Sequence, residues 1–211
     1  MTESLEQARA AVAACGRRLV STGLVVGSAG NVSARVGDRI AITPSGVPYD
    51  RIEPADVCVI DLTGRPVDGP ERPSSETPMH LSVYDATGAT AVVHHHGVHS
   101  TAVSTVLDEL PAIHYATTQL GGTVRVAEYE TYGTPELARS VHAALKDRTG
   151  ALIQNHGAVA YGRSLDEAFD RAQLLEWLCE VYARASALGT PRILSAAELD
   201  AVNRRRTGGG A

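Results

Sequence analysis

Residues 91–104 read AVVHHHGVHSTAVS, four histidines in six positions entered directly from a short apolar run. A run of that length bounded by glycine suits a buried strand, on which successive side chains point to opposite faces. His94 and His96 then share a face while His95 points away. Two imidazoles at i and i+2 stand roughly 6–7 Å apart at the backbone, so both rings can converge on one ion. Burying such a pair without a partner is costly, which favours a metal site over an ordinary structural role for His94 and His96. A zinc site needs a third protein ligand and an open position. His156 is the candidate: it follows the apolar ALIQ and lies between Asn155 and Gly157, where the backbone can turn the ring inward. Glu76, earlier in the chain, is a candidate ligand or base. His95 and His99 read as a surface residue and a helix-start residue, and His80, His114 and His142 as ordinary partly exposed residues.

Helical and strand periodicities alternate along the rest of the chain. Leu5, Ala8, Val12, Cys15 and Leu19 recur at helical spacing, and Gly23 can close that helix. GNVSARVGDRIAITPSG alternates around Gly37-Asp38, the pattern of a hairpin leading into a Pro/Ser/Gly loop. DVCVIDLTG reads as a strand, SSETPMHLSVYDAT as a helix from near Ser75, and GVHSTAVSTVLDEL as another helix. GTVRVAEY then reads as a strand, TPELARSVHAALKD as a helix capped by Thr134, and GALIQNHGAVAYG as a strand interrupted at His156-Gly157. SLDEAFDRAQLLEWLCEVYARASAL is the longest helical segment. Interleaved elements predict an α/β layered domain, and the hairpin-linked strands argue against a purely parallel sheet.

A net charge of −5, with no long cluster of Lys and Arg, argues against a nucleic-acid partner. The RRR at Arg204 to Arg206 reads as a solvated helix end. No apolar run approaches the roughly 20 residues that span a bilayer, and the first residues lack the basic-then-apolar order of a signal peptide. No membrane association and a cytoplasmic location are therefore expected. Residues 1–211 suit one domain, with a tail from about residue 204 expected to be mobile. Cys15, Cys58 and Cys179 lie in apolar periodic segments and read as buried thiols.

Three loops have unusual chemistry. SAGNVS, TPSG and PSSE each offer small residues, hydroxyls and backbone N–H groups, and together they suit an anion cradle. Neither a P-loop nor GxGxxG is present, so a nucleotide is not implied.

Taken in order, GSAGNVSARVGDRIAITPSGVPYDRI, PSSETPMHLSVY, AVVHHHGVHSTAVS, PAIHYATTQLGG and IQNHGAVAYGRSLDEAF resemble the class II aldolase/adducin family, from the first helix to about residue 195. The resemblance implies a three-layer α/β/α sandwich on a central, largely antiparallel mixed sheet. It implies zinc held by His94, His96 and His156, with Glu76 as the catalytic carboxylate. Asn31, Ser45, Gly46, Ser74 and Ser75 match phosphate-binding positions, and Tyr115 matches a proton donor at a site shared between subunits of a homotetramer.

The implied activity is reversible cleavage of a ketose 1-phosphate, L-fuculose 1-phosphate foremost, to dihydroxyacetone phosphate and an aldehyde. That cleavage leaves an enediolate, whose charge a divalent metal stabilises as a Lewis acid. No Schiff-base lysine is then needed, and Lys146 reads as exposed at a helix end. Two departures bear on the substrate: the C-terminal stretch AVNRRRTGGGA has no tyrosine to close over the site, and Tyr132 stands where such aldolases often carry phenylalanine. The alternatives are a pentulose-5-phosphate 4-epimerase, in which aspartate replaces the glutamate of SSE, another sugar-phosphate lyase of the family, and an adducin-like binding module that has lost its metal ligands.

Overall fold

The computed structural model describes residues 4–70 and 72–208. Helix α1 (Leu5–Ser21) starts at a capping box in which the Ser4 hydroxyl takes the Gln7 N–H and the Gln7 side chain takes the Ser4 N–H. Strands β1 (Asn31–Val36) and β2 (Arg39–Ile42) form the expected hairpin, with Val36 opposite Arg39 across Gly37-Asp38. Then come β3 (Cys58–Asp61), β4 (Pro66–Asp68), α2 (Thr77–Ala86), β5 (Ala91–His95), α3 (Val98–Ser104), β6 (Glu109–Leu110) and β7 (Val124–Ala127). The chain continues through α4 (Pro135–Ala144), β8 (Gly150–Ile153), β9 (Gly157–Gly162), α5 (Leu165–Leu188) and α6 (Ala196–Gly208).

The strands form one nine-stranded sheet in the order β4-β3-β2-β1-β5-β9-β8-β7-β6. Only the β7–β8 pair is parallel, so the sheet is mixed and largely antiparallel. Alternation sorts its side chains into two apolar layers. Val32, Ala91, Val93 and Ala160 pack under α1 and α5, and Leu152 and Ala158 continue that layer to α3. Ile40, Ile42, Val92, Ile153 and Val159 pack on the opposite face under α2 and α4. The result is the three-layer α/β/α sandwich, with a core on each side of the sheet.

Four local differences from the sequence-based expectation have physical causes. Helix α2 starts at Thr77 rather than near Ser75, because the Ser74 hydroxyl takes the Glu76 N–H and leaves Glu76 as a non-helical cap. Glu76 makes no side-chain capping bond, so its carboxylate is free to reach the sheet. The helix expected over residues 97–110 stops at Ser104, since Glu109 and Leu110 pair with Arg125 and Val124. The interruption at His156-Gly157 is a full reversal, with Ile153 opposite Gly157. Strand β4 had no apolar signal, being an exposed edge.

The three cysteines are buried and unpaired, and burial pushes all three thiols up, Cys58 to about 11. Helix α6 carries Arg204 to Arg206 in its last turns, and the end of the tail, residues 209–211, lies outside the described residues. Among the described residues no helix is long and apolar enough to cross a membrane.

Candidate metal centre and active site

Strand β5 delivers His94 and His95, and His96 follows as the strand ends, its N–H tied to the Leu24 carbonyl at 3.0 Å. His156 comes from the β8–β9 turn, where Asn155 adopts φ 54° and so re-aims the next side chain. The three rings stand mutually edge-on, with every pair of centroids 4.8 Å apart. His94 Nδ1 donates to the Ala158 carbonyl at 2.9 Å. That bond fixes the tautomer and aims the Nε2 lone pair at His96 Nε2, 2.9 Å away.

Glu76 enters from the N-terminus of α2. Its Oε2 lies 3.0 Å from His94 Nε2 and its Oε1 3.4 Å from His156 Nε2. The ligand atoms of Glu76, His94, His96 and His156 all fall within 4.8 Å of one another. Oε1 is buried and accepts no hydrogen bond. An orphaned carboxylate oxygen facing three imidazoles fits a divalent cation, which satisfies acceptors with no donor of its own.

Close backbone approach makes this convergence possible. Gly30 has φ 78°, and a Cβ there would lie 2.6 Å from the His94 carbonyl; at Gly157 a Cβ would collide with the His95 carbonyl. Only glycine admits the flanking chains at both points.

His96, His156 and Glu76 line a cavity of about 450 Å³, with His94 fully buried behind them. Asn31, Ser45, Gly46, Ser74 and Ser75 all line it. Ser45, Gly46 and Ser75 are exposed at its mouth, whereas Ser74 is buried. Tyr129, Glu130 and Tyr132 also line it. Tyr115 is not in the wall; its ring is 56% exposed and lies against His114, 4.3 Å between centroids.

Two expectations about histidines are corrected. His95 does point to the other sheet face, yet it is fully buried there rather than a surface residue, with Nδ1 accepting the Gly97 N–H. His80 is fully buried rather than partly exposed. His99 begins α3 and His142 is exposed, as expected. The sequence reading also passed over Tyr49, which lines the cavity floor and donates to the Gly30 carbonyl at 2.6 Å.

Burial is the largest influence on most of these imidazoles. It lowers His80 and His96 to about 3 and His95 and His156 to about 4. Of these, His96 and His156 belong to the cluster, and the neutral imidazole is the form that ligates. Burial would raise the Glu76 carboxyl, but His94, His156 and the Asn31 amide outweigh it and hold Glu76 well below the usual range. Burial would lower His94, but Glu76 outweighs it and raises the imidazole.

A histidine depressed on folding takes up its proton in the unfolded chain first. Its stabilisation is therefore complete above pH 6.5 and is lost as pH falls towards 3 or 4. Four histidines act with this sign, and His94 opposes them. The urea midpoint of chelated protein is expected to fall between about pH 7.5 and pH 5. A midpoint that rises over this interval contradicts the burial of neutral imidazoles.

Residues 10–183 match the family model "Class II Aldolase and Adducin N-terminal domain". The chain belongs to the class II aldolase and adducin family. It is 34% identical to a 5-deoxy-D-ribulose 1-phosphate aldolase of Bacillus thuringiensis, over 98% of each chain. It is 41% identical to the L-fuculose phosphate aldolase of Escherichia coli (strain K12), over 80% of this chain and 79% of that one. A solved L-fuculose 1-phosphate aldolase superposes with a TM-score of 0.92 at 34% identity, covering 98% of this chain and 99% of the other. These relatives are aldehyde-lyases of class II, a metal-dependent class, and this family member carries a histidine and glutamate cluster able to hold a metal ion.

Proposed function

We propose that the chain is a zinc-dependent aldolase that cleaves a ketose 1-phosphate to dihydroxyacetone phosphate and an aldehyde. The observation that carries this reading is the placement of the Glu76 carboxylate 3.0 Å from His94 Nε2, at the floor of a cavity whose mouth holds Ser45, Gly46 and Ser75. His94, His96 and His156 would hold a divalent ion, which would supply Lewis-acid stabilisation of the charge that develops on the substrate.

The protein's own groups do the rest. Asn31, Ser45, Gly46, Ser74 and Ser75 hold the phosphate, so that binding energy remote from the reacting carbons orients them. Cleavage removes the proton from the C4 hydroxyl, breaks the C3–C4 bond and returns a proton to C3. Glu76 delivers that last proton, and takes it up in the synthetic direction, through Oε1, because Oε2 already accepts the Asn31 amide at 2.9 Å. Tyr115 of a neighbouring subunit exchanges the hydroxyl proton. Its exposure and its position outside this chain's own cavity wall suit a residue supplied across an interface, as in a homotetramer. A Schiff base has no candidate, since the chain's single lysine, Lys146, is exposed.

Named relatives act on L-fuculose phosphate and on 5-deoxy-D-ribulose 1-phosphate, sugars that differ at the aldehyde end. Tyr132 and Glu130 line the same cavity, with Gly133 packed on the Ser75 backbone, and are the side chains that would choose between the two sugars. The test is release of dihydroxyacetone phosphate from L-fuculose 1-phosphate, 5-deoxy-D-ribulose 1-phosphate and L-ribulose 5-phosphate. Release from one or both 1-phosphates supports an aldolase and ranks its substrates. Epimerisation of L-ribulose 5-phosphate without release overturns it.

A further inference from the structure

Glu76 is one end of a line of hydrogen bonds that runs from the cavity floor into the core. Asn31 Nδ2 donates to Glu76 Oε2, and the same amide's Oδ1 meets His80 Nε2 at 2.5 Å. His80 Nδ1 lies 2.7 Å from Ser33 Oγ, which lies 2.6 Å from the Tyr84 hydroxyl. Ser33 and His80 are fully buried and Tyr84 is 3% exposed. None of these three lines the cavity.

Donor and acceptor capacity fixes the direction of the whole line. An ionised carboxylate only accepts, so Asn31 must turn its N–H to Glu76 and its carbonyl to His80. His80 must then carry its proton on Nε2 and leave Nδ1 bare. Ser33 must donate to Nδ1, and Tyr84 must donate to Ser33. Reversing any one member sets two acceptors or two donors face to face where water does not reach.

We infer that His80 is a positioning residue: its Nε2–H form, set by the Ser33 and Tyr84 hydroxyls, locks the Asn31 amide and so holds Glu76 Oε2 beside His94 with Oε1 left to exchange the proton. The kinetic consequence rests on the aldolase reading above, whereas the position of the proton on His80 does not. An amide nitrogen at the end of a glutamine can replace Nε2, and that of the shorter asparagine reaches only the place of Nδ1.

Kinetics, metal content and melting temperature of His80→Asn and His80→Gln, with ¹⁵N NMR of the wild-type histidines, test the inference. His80→Asn is expected to keep one metal per chain and a KM within about twofold, while kcat falls about tenfold; His80→Gln recovers most of it. Equal kcat in the two variants, or a loss spread equally over kcat and KM, overturns it and leaves a structural role. Should His80→Asn fail to fold, Ser33→Ala, which removes the donor to Nδ1, is expected to lower kcat about threefold at unchanged KM, and an unchanged kcat overturns the inference. The NMR is expected to show His80 protonated at Nε2 and bare at Nδ1, and the opposite form overturns the relay whatever the activity. Absence of cleavage by the wild-type protein counts against the aldolase reading, and the relay is then decided by the NMR.

Discussion

Replacing His96 by alanine is expected to leave a folded chain that neither retains metal nor cleaves substrate. His96 lies just past the last residue of β5, so no ladder pair depends on its side chain. Its ring stands 4.8 Å from each of the other two imidazoles, and without it the cluster keeps two imidazoles and one carboxylate. Three protein ligands and an open position are the usual minimum for catalytic zinc, and with Glu76 committed to proton transfer only His94 and His156 remain to hold the ion. Lewis-acid stabilisation contributes several kcal/mol, and each 1.4 kcal/mol is about tenfold, so turnover should fall at least about a hundredfold. The melting temperature should match that of chelated wild type. Stoichiometric metal in the purified variant would remove His96 from the centre.

Glu76→Gln separates chemistry from metal binding. The amide is nearly isosteric, and three imidazoles remain, so metal content should hold at one per chain. A glutamine cannot take or return a proton, and loss of a positioned acid–base group costs about 10²–10⁴ in rate. The expected result is a loaded, folded protein with kcat reduced by about that factor and KM little changed. Unchanged turnover would take Glu76 out of the mechanism.

How much of this centre was legible in the sequence depended on periodicity. Strand alternation alone paired His94 with His96 and turned His95 away, because both follow from a period of two. The glycine beside His156 signalled the turn that brings it in. His80 and His95 were misread because their burial depends on distant partners. His80 is held by Asn31 and Ser33 of β1, 49 and 47 residues away, and no local pattern around His80 reports them. A signal did exist: alternation along Asn31-Val32-Ser33 puts two polar side chains on the buried face, which demands a polar partner. The start of α2 was misplaced by two residues for a related reason. Ser74 and Ser75 have the chemistry of helix caps, but Ser74 satisfies Glu76's N–H from outside the helix and frees the glutamate for the sheet. Strand β4 and the shortness of α3 are set by edge pairing, which apolar periodicity does not encode.

The central claim is that a metal held by His94, His96 and His156 is required for carbon–carbon cleavage at the Glu76 carboxylate. One sample decides it most directly, with dihydroxyacetone phosphate release and metal content measured together as purified, after chelation, and after return of one equivalent of zinc. Release and metal are expected to disappear together and to return together. Full release from the metal-free protein would contradict it.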